Sequence, residues 1–300
     1  MQYPYSVVDV FTERAFSGAQ ITVFTQADGL TEGQMQMLAR ETNHSETVFV
    51  MPSAADCAAR LRVYSPLGEG AVGSHTTVAA AFALAESGGI AVGTGLSKCE
   101  FVQGEQRLPI LFNRSDKSLL TQVGFTVTPQ IDRYVPAQQE LLGILGLESQ
   151  DLETLKARAL FVSCGSPYLI VPLRSLDAVY RAAFHAEAWA QSSASSVPVS
   201  EILVYCSETE NPEADFHLRL LGAGRSPHDD PPVGAAVPAF VAFLGEKLAQ
   251  GTHTLWVERG TKRTRQSLLK VEFETCASAP LNVRVGGEAV LVAQGQMRAP

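Results

Sequence analysis

Two short segments combine residue types suited to holding a small anion. The first, Gly73-Ser74-His75-Thr76-Thr77, opens one apolar helix; the second, His228-Asp229-Asp230-Pro231-Pro232, leads into Val233-Gly234-Ala235-Ala236 and opens another. The first N–H groups of a helix lack intrahelical acceptors, and the aligned peptide dipoles make that end partly positive, so a carboxylate is favoured there. Glycine and alanine leave these N–H groups unobstructed. Two such ends facing each other would clamp one small acid. The side chains also have structural readings: Ser74 and Asp230 are good N-caps, and a lone histidine in an apolar helix is usually a hydrogen-bonded core residue. Residue types alone leave both readings open.

The elements that must position these segments follow from periodicity. Tyr5 to Phe11 and Ile21 to Phe24 alternate as strands around a Gly18 turn, and Thr31 caps a helix running to Arg40. Strands follow at Thr47 to Met51 and Arg60 to Tyr64, then a helix over Ser74 to Glu86 whose Val78 to Ala85 stretch is apolar nearly all round and belongs inside a domain. The second half repeats this programme: strands at Ala159 to Ser163 and Tyr168 to Val171, a helix after Ser175, strands at Ile202 to Tyr205 and His217 to Leu221, and an apolar helix over Gly234 to Leu248. The halves overlay with Gly18 on Gly165, Ser45-Glu46 on Ser200-Glu201, Leu61-Arg62 on Leu218-Arg219 and Gly73 on Val233. The spacing grows steadily along the chain, as small insertions after a duplication require. The expected fold is α+β with two pseudo-symmetric lobes, each a bent mixed sheet wrapped around a buried helix. The lobes are placed at residues 1–128, carrying Glu46 and His75, and 129–300, carrying Asp230 and Gly234, with the last strand free to return to the first lobe.

Composition narrows the partners. Lys plus Arg number 23 against 31 Asp plus Glu, a net charge of −8, which disfavours nucleic acid or an anionic membrane as the main partner. Helix ends, not basic side chains, would have to attract an acidic ligand. The N-terminus has no signal-peptide pattern, no apolar run is long enough to span a bilayer, and the five cysteines are scattered and odd in number. A reduced, cytoplasmic protein without a zinc site is expected. Gly93-Thr94-Gly95 lacks the spacing of a dinucleotide motif, and the basic cluster Gly260 to Arg265 reads as a solvated hairpin.

The segment Glu41-Thr42-Asn43-His44-Ser45-Glu46-Thr47-Val48-Phe49-Val50 resembles the phenazine-biosynthesis PhzF-like family, which characteristically reads Asn, any residue, Ser-Glu-Thr, any residue, Phe. The resemblance extends from Val8-Asp9-Val10-Phe11 through Arg62 to Pro66, Glu69, His75, Asp229-Asp230-Pro231 and Gly234 to Val285-Gly286-Gly287 and Gly295, essentially the whole chain. It implies a fold similar to diaminopimelate epimerase and a homodimer. It further implies cofactor-free proton transfer on a small carboxylic acid. By this resemblance Glu46 matches the acid/base, and His75 and Asp230 match groups that hydrogen-bond the substrate and set protonation states. Ser45, Ser74, Gly234 and Ala235 match positions around the substrate carboxylate, beside the backbone of Gly73. Moving a carbon-bound proton requires such a set: a base at one face, a water-poor site and donors for the developing enolate oxygen.

Departures accompany the matches. The family's Gly-Asn-Pro stands as Gly18-Ala19-Gln20, its Gly-His-Pro as Ser74-His75-Thr76, and its Asp-Pro-x-Thr-Gly-Ser-Ala as Asp230-Pro231-Pro232-Val233-Gly234-Ala235-Ala236. A threonine and a serine hydroxyl are therefore missing at Val233 and Ala235, while Ser74 and Thr76 add hydroxyls near His75. Epimerases of the related fold carry a cysteine at the start of each buried helix; Gly73 and Val233 stand here, which disfavours two-thiol inversion. Three functions compete: an isomerase shifting a proton and double bond, an epimerase or dehydratase using Glu46 with His75 or Asp230, and a small-acid binding protein without catalysis. His44, two residues before Glu46, either tunes that carboxyl or faces solvent.

Overall fold

A computed structural model describes residues 1–53, 57–70, 73–197, 199, 201–222, 230–261, 263–275 and 280–300. His228, Asp229, Ser200, Lys262 and one of the five cysteines, Cys276, lie outside the described residues. Among the described residues no helix is long and apolar enough to cross a membrane.

In chain order the first elements are β1 (Gln2–Val10), β2 (Ala19–Phe24), α1 (Glu32–Thr42), β3 (Glu46–Met51), β4 (Ala59–Tyr64), α2 (Ser74–Glu86), β5 (Gly95–Gln103), β6 (Gln106–Arg114) and β7 (Leu119–Val127). Then come β8 (Gln130–Asp132), α3 (Gln138–Leu145), β9 (Leu160–Cys164), β10 (Ser166–Pro172), α4 (Leu176–Arg181), α5 (Ala186–Gln191), β11 (Glu201–Cys206), β12 (Phe216–Gly222), α6 (Val237–Gly245) and β13 (Gly251–Arg259). The chain ends in β14 (Ser267–Thr275), β15 (Leu281–Gly287) and β16 (Ala289–Arg298).

These elements form two compact units. The first comprises Met1–Phe125, Lys262–Lys270 and Arg284–Pro300; the second comprises Thr126–Thr261 and Val271–Val283. Two C-terminal segments thus belong with the first unit. The cause is pairing: β16 runs antiparallel to β1 from Gln2 opposite Arg298 to Val10 opposite Ala289, and Leu268 N–H bonds the Phe11 carbonyl at 2.8 Å. Gly286 fixes another close approach, since a Cβ there would lie 2.1 Å from the Thr121 carbonyl oxygen.

In the first unit α2 packs on β1, β2, β3 and β16. Every residue of α2 from Ser74 to Leu84 is buried, as its all-round apolar sequence requires. In the second unit α6 packs on β9 and β10, and its Phe240 and Phe243 meet Tyr205 edge-on. A separate core joins α3 and α4 to the sheet through Leu141, Ile144, Val179, Leu169 and Ile202.

The two units repeat one pairing pattern. In the first, β2 is parallel to β3, β3 antiparallel to β4, and β4 parallel to β5. In the second, β10 is parallel to β11, β11 antiparallel to β12, and β12 parallel to β13. The register repeats as well. Ile21 faces Glu46, Thr47 faces Tyr64 and Ala59 faces Phe101, while Tyr168 faces Glu201, Ile202 faces Leu221 and Phe216 faces Val257. Glu46 and Glu201, paired in the sequence overlay, hold the same place in the two patterns.

One element differs from expectation. The helix expected over Gly234 to Leu248 is the shorter α6, which starts at Val237 with proline in its first turn. Pro238 has no N–H to bond the Gly234 carbonyl and its ring would clash there, so the helix begins where that N–H is not needed. Gly234 and Ala235 consequently occupy a turn closed by Ala236 N–H on the Val233 carbonyl at 2.9 Å, ahead of the helix rather than in its first turn.

Candidate active-site residues

The segment around Glu46 is shaped by how α1 ends. Asn43 occupies the left-handed region with φ 50°, and its N–H bonds the Ala39 carbonyl. Asparagine tolerates this conformation better than other residues that carry a Cβ. The Thr42 and Thr47 hydroxyls then join at 2.9 Å across the turn, and Glu46 becomes the first residue of β3. Ser45 is exposed, whereas Glu46 keeps 23% side-chain exposure. Gly70 borders the carboxylate: a Cβ at that position would lie 3.8 Å from Glu46 Oε1.

His75, the second residue of α2, reaches that carboxylate. Its Nε2 is hydrogen-bonded to Glu46 Oε2, and its side chain is 6% exposed. Gly73 is the N-cap and supplies no side-chain cap. A Cβ at position 73 would approach His75 Cε1 to 2.8 Å, so the imidazole occupies the space that any side chain there would need. Thr76 and Thr77 direct their hydroxyls at the Gly73 carbonyl, at 2.8 and 3.0 Å, which holds the helix start. Ser74 Oγ and His75 Nδ1 are buried and have no hydrogen-bond partner among the described residues. Buried polar atoms of this kind are uncommon and call for a ligand, a water or a functional cause. The structure thus brings together Glu46, Gly73, Ser74, His75 and Thr76. The added hydroxyl of Thr76 is engaged by backbone and that of Ser74 is not.

In the second unit, Asp230 Oδ2 lies 3.5 Å from Arg259 Nη1, and Oδ1 is buried without a partner among the described residues. Burial raises the Asp230 carboxyl above its ordinary range, against the lowering pull of Arg259, Arg219 and His217. Gly234 is buried and Ala235 exposed. Arg259 has no local sequence signal, because it comes from the far end of β13. Beside it on that strand, the fully buried Glu258 accepts N–H bonds from Glu210 and Asn211 and bonds His217 Nδ1 at 2.8 Å. The Glu258 carboxylate ties a loop to the sheet.

His44 bonds Thr22 Oγ1 through Nδ1 at 2.6 Å. Burial and the Arg265 charge hold its pKa below the usual histidine value. Asp9 is fully buried, bonding Arg265 and the Phe16 N–H, and so organises the turn that ends β1. Among the described residues no group of three or more His, Cys, Asp or Glu could hold a metal ion.

A mixed-sheet α+β fold with a carboxylate and an imidazole joined at the start of a buried helix defines the class. Residues 8–295 match the phenazine biosynthesis-like protein family, PhzC-PhzF, and the chain belongs to it. It is 31% identical over 298 residues to an uncharacterized isomerase of Mesorhizobium japonicum, covering 98% of each chain. A second uncharacterized isomerase, from Pasteurella multocida, is 30% identical over 302 residues, covering 99% of this chain and 95% of its own. The crystal structure of a Bacillus anthracis phenazine biosynthesis protein of the PhzF family is similar with a TM-score of 0.87, at 25% identity over 99% of both chains.

Proposed function

We propose that this protein is a cofactor-independent isomerase that moves a proton, and with it a double bond, on a small carboxylic acid. The observation that carries the proposal is the hydrogen bond between Glu46 and His75 at the start of α2, beside the unpartnered Ser74 hydroxyl. On this reading the Glu46 carboxylate takes the proton from carbon and returns it to another carbon on the same face. His75 holds the second carboxylate oxygen, fixing the orientation of the base and answering its change of charge. The open N–H groups of α2 and the Ser74 hydroxyl receive the substrate carboxylate or the developing enolate oxygen. Thr76 contributes by fixing Gly73. Asp230, raised in pKa, is the second proton-bearing group, and Ser45, Gly234 and Ala235 are substrate-binding positions. Two relatives bearing the description isomerase support the reaction class. The repeated strand register supports two lobes derived from one ancestral unit. Homodimerisation is part of the same proposal.

A one-base route fits position 73, where a thiol would collide with the imidazole. The test is deuterium incorporation at carbon from deuterated water across a panel of small cyclic and amino-bearing acids. Incorporation that is lost in Glu46→Gln supports the proposal, and incorporation unchanged in that variant overturns it. The missing hydroxyls at Val233 and Ala235 motivate a second reading, a binding protein. Calorimetric binding of an acid without any exchange would favour it.

A further inference from the structure

We infer that the second unit carries a binding site for a small organic anion in the cavity lined by Arg133, Lys156, Arg158, Leu160, Phe243 and Lys247. None of the residues proposed for proton transfer lines it. Its volume is about 390 Å³, within the size range of small-ligand pockets. The chain as a whole has a net charge of −8, yet four cationic side chains surround this cavity against one carboxylate, Glu246.

Two of the four have structural work. Arg133 pairs with Glu246, and the Lys247 ammonium donates to the Lys156 carbonyl. Lys247 also stands just past the C-terminus of α6, where a cation complements the helix dipole. The other two have no such role. Lys156 and Arg158 are exposed and arise from the segment between α3 and β9. Neither makes an ion pair among the described residues. The nearby Glu153 carboxylate is already engaged by the N–H groups of Leu155 and Lys156. Like charges gathered around a concavity repel, and a bound anion relieves that repulsion while gaining charge-assisted hydrogen bonds. The buried Phe243 and half-buried Leu160 give the cavity apolar surface. The ligand is therefore an anion with two or more negative charges on an aromatic or aliphatic body, with the Arg158 guanidinium suited to bidentate contact.

Calorimetry and thermal shift with phenyl phosphate and with benzene-1,3,5-tricarboxylate, on the full-length protein at low and high salt, test this site. Four proteins are compared: wild type, Glu46→Gln, the double variant Lys156→Gln/Arg158→Gln and the double variant Lys156→Glu/Arg158→Glu. The expected result is salt-sensitive binding that is retained in Glu46→Gln and weakened about tenfold or more in both double variants, each melting like wild type without ligand. Absence of binding to either probe overturns the inference, as does binding that survives charge reversal. Because the readout is binding and requires no turnover, failure of the catalytic proposal leaves this result unchanged.

Discussion

Glu46 and His75, 29 residues apart in sequence, are joined through Oε2 and Nε2. Each is presented by the first turn or first residue of a regular element, β3 for the carboxylate and α2 for the imidazole. This is a rigid presentation, since α2 is buried along its length and β3 is paired on both sides.

Groups that act as one unit lose their effect together when either is removed. Glu46→Gln and His75→Gln are each expected to slow deuterium incorporation by about 10² to 10⁴. The double variant should be little slower than the worse single variant. NMR of the substrate carbon provides the rate, and multiplicative losses would show that the two side chains act independently.

Gly73 is constrained by His75 rather than by backbone conformation, because its φ of −133° is open to any residue. Gly73→Ala and Gly73→Cys should each destabilise by about 1 to 3 kcal/mol through overpacking. Both should also displace the imidazole and lower the exchange rate. Installing the thiol is therefore expected to abolish proton transfer and not to convert it to inversion. Denaturant titration and the exchange assay check this; a Gly73→Cys variant that keeps wild-type exchange contradicts it.

Asn43 offers a cleaner separation of stability from chemistry. Ala at its left-handed position should cost about 1 kcal/mol, while Gly, which adopts that region freely, should cost less. Thermal melts order the variants as wild type or Gly first and Ala last. Exchange rates measured well below the melting temperature should follow the position of Glu46 and change little in Asn43→Gly.

Much of this was legible in the sequence for physical reasons. The limits of α2 follow from Gly73 at its start and an apolar run with no polar face. The strand pairings of both units follow from strands whose alternation is visible in each half. Other features had no local signature. Arg259 meets Asp230 only through tertiary pairing of β13, and Arg265 reaches Asp9 from more than 250 residues away. The start of α6 was legible only if Pro238 outweighed the surrounding apolar pattern. Whether Ser74 or Thr76 supplies a free hydroxyl depended on rotamers that no spacing encodes.

Ser74 and Thr76 now make opposite predictions. Thr76→Val removes a bond to the Gly73 carbonyl and should cost about 1 kcal/mol of stability. Ser74→Ala removes a buried hydroxyl with no partner among the described residues, so its stability should be unchanged or raised. If that hydroxyl binds the substrate, Ser74→Ala raises KM, by roughly tenfold for a hydrogen bond to a charged group. Melting curves and steady-state kinetics on the same preparations separate the two effects. A stability loss in Ser74→Ala would mean that its hydroxyl is already satisfied within the fold.

Asp230 links the candidate chemistry to pH. Its carboxyl is raised, chiefly by burial, with Arg259, Arg219 and His217 opposing. A carboxyl whose folded pKa exceeds its unfolded value binds protons more tightly in the native state, so its ionisation penalises folding above the folded pKa. That penalty disappears as pH falls through the folded pKa toward the unfolded value near 3.8. Asp230→Asn removes it and should melt higher than wild type near neutral pH, with the difference shrinking as pH is lowered toward 4. The same substitution should depress exchange at every pH if Asp230 bears a proton needed in the reaction, a trade of stability for function. Paired melting curves and exchange rates across pH 4 to 8 measure both. A variant less stable than wild type at neutral pH would show that the Arg259 contact outweighs burial at this position.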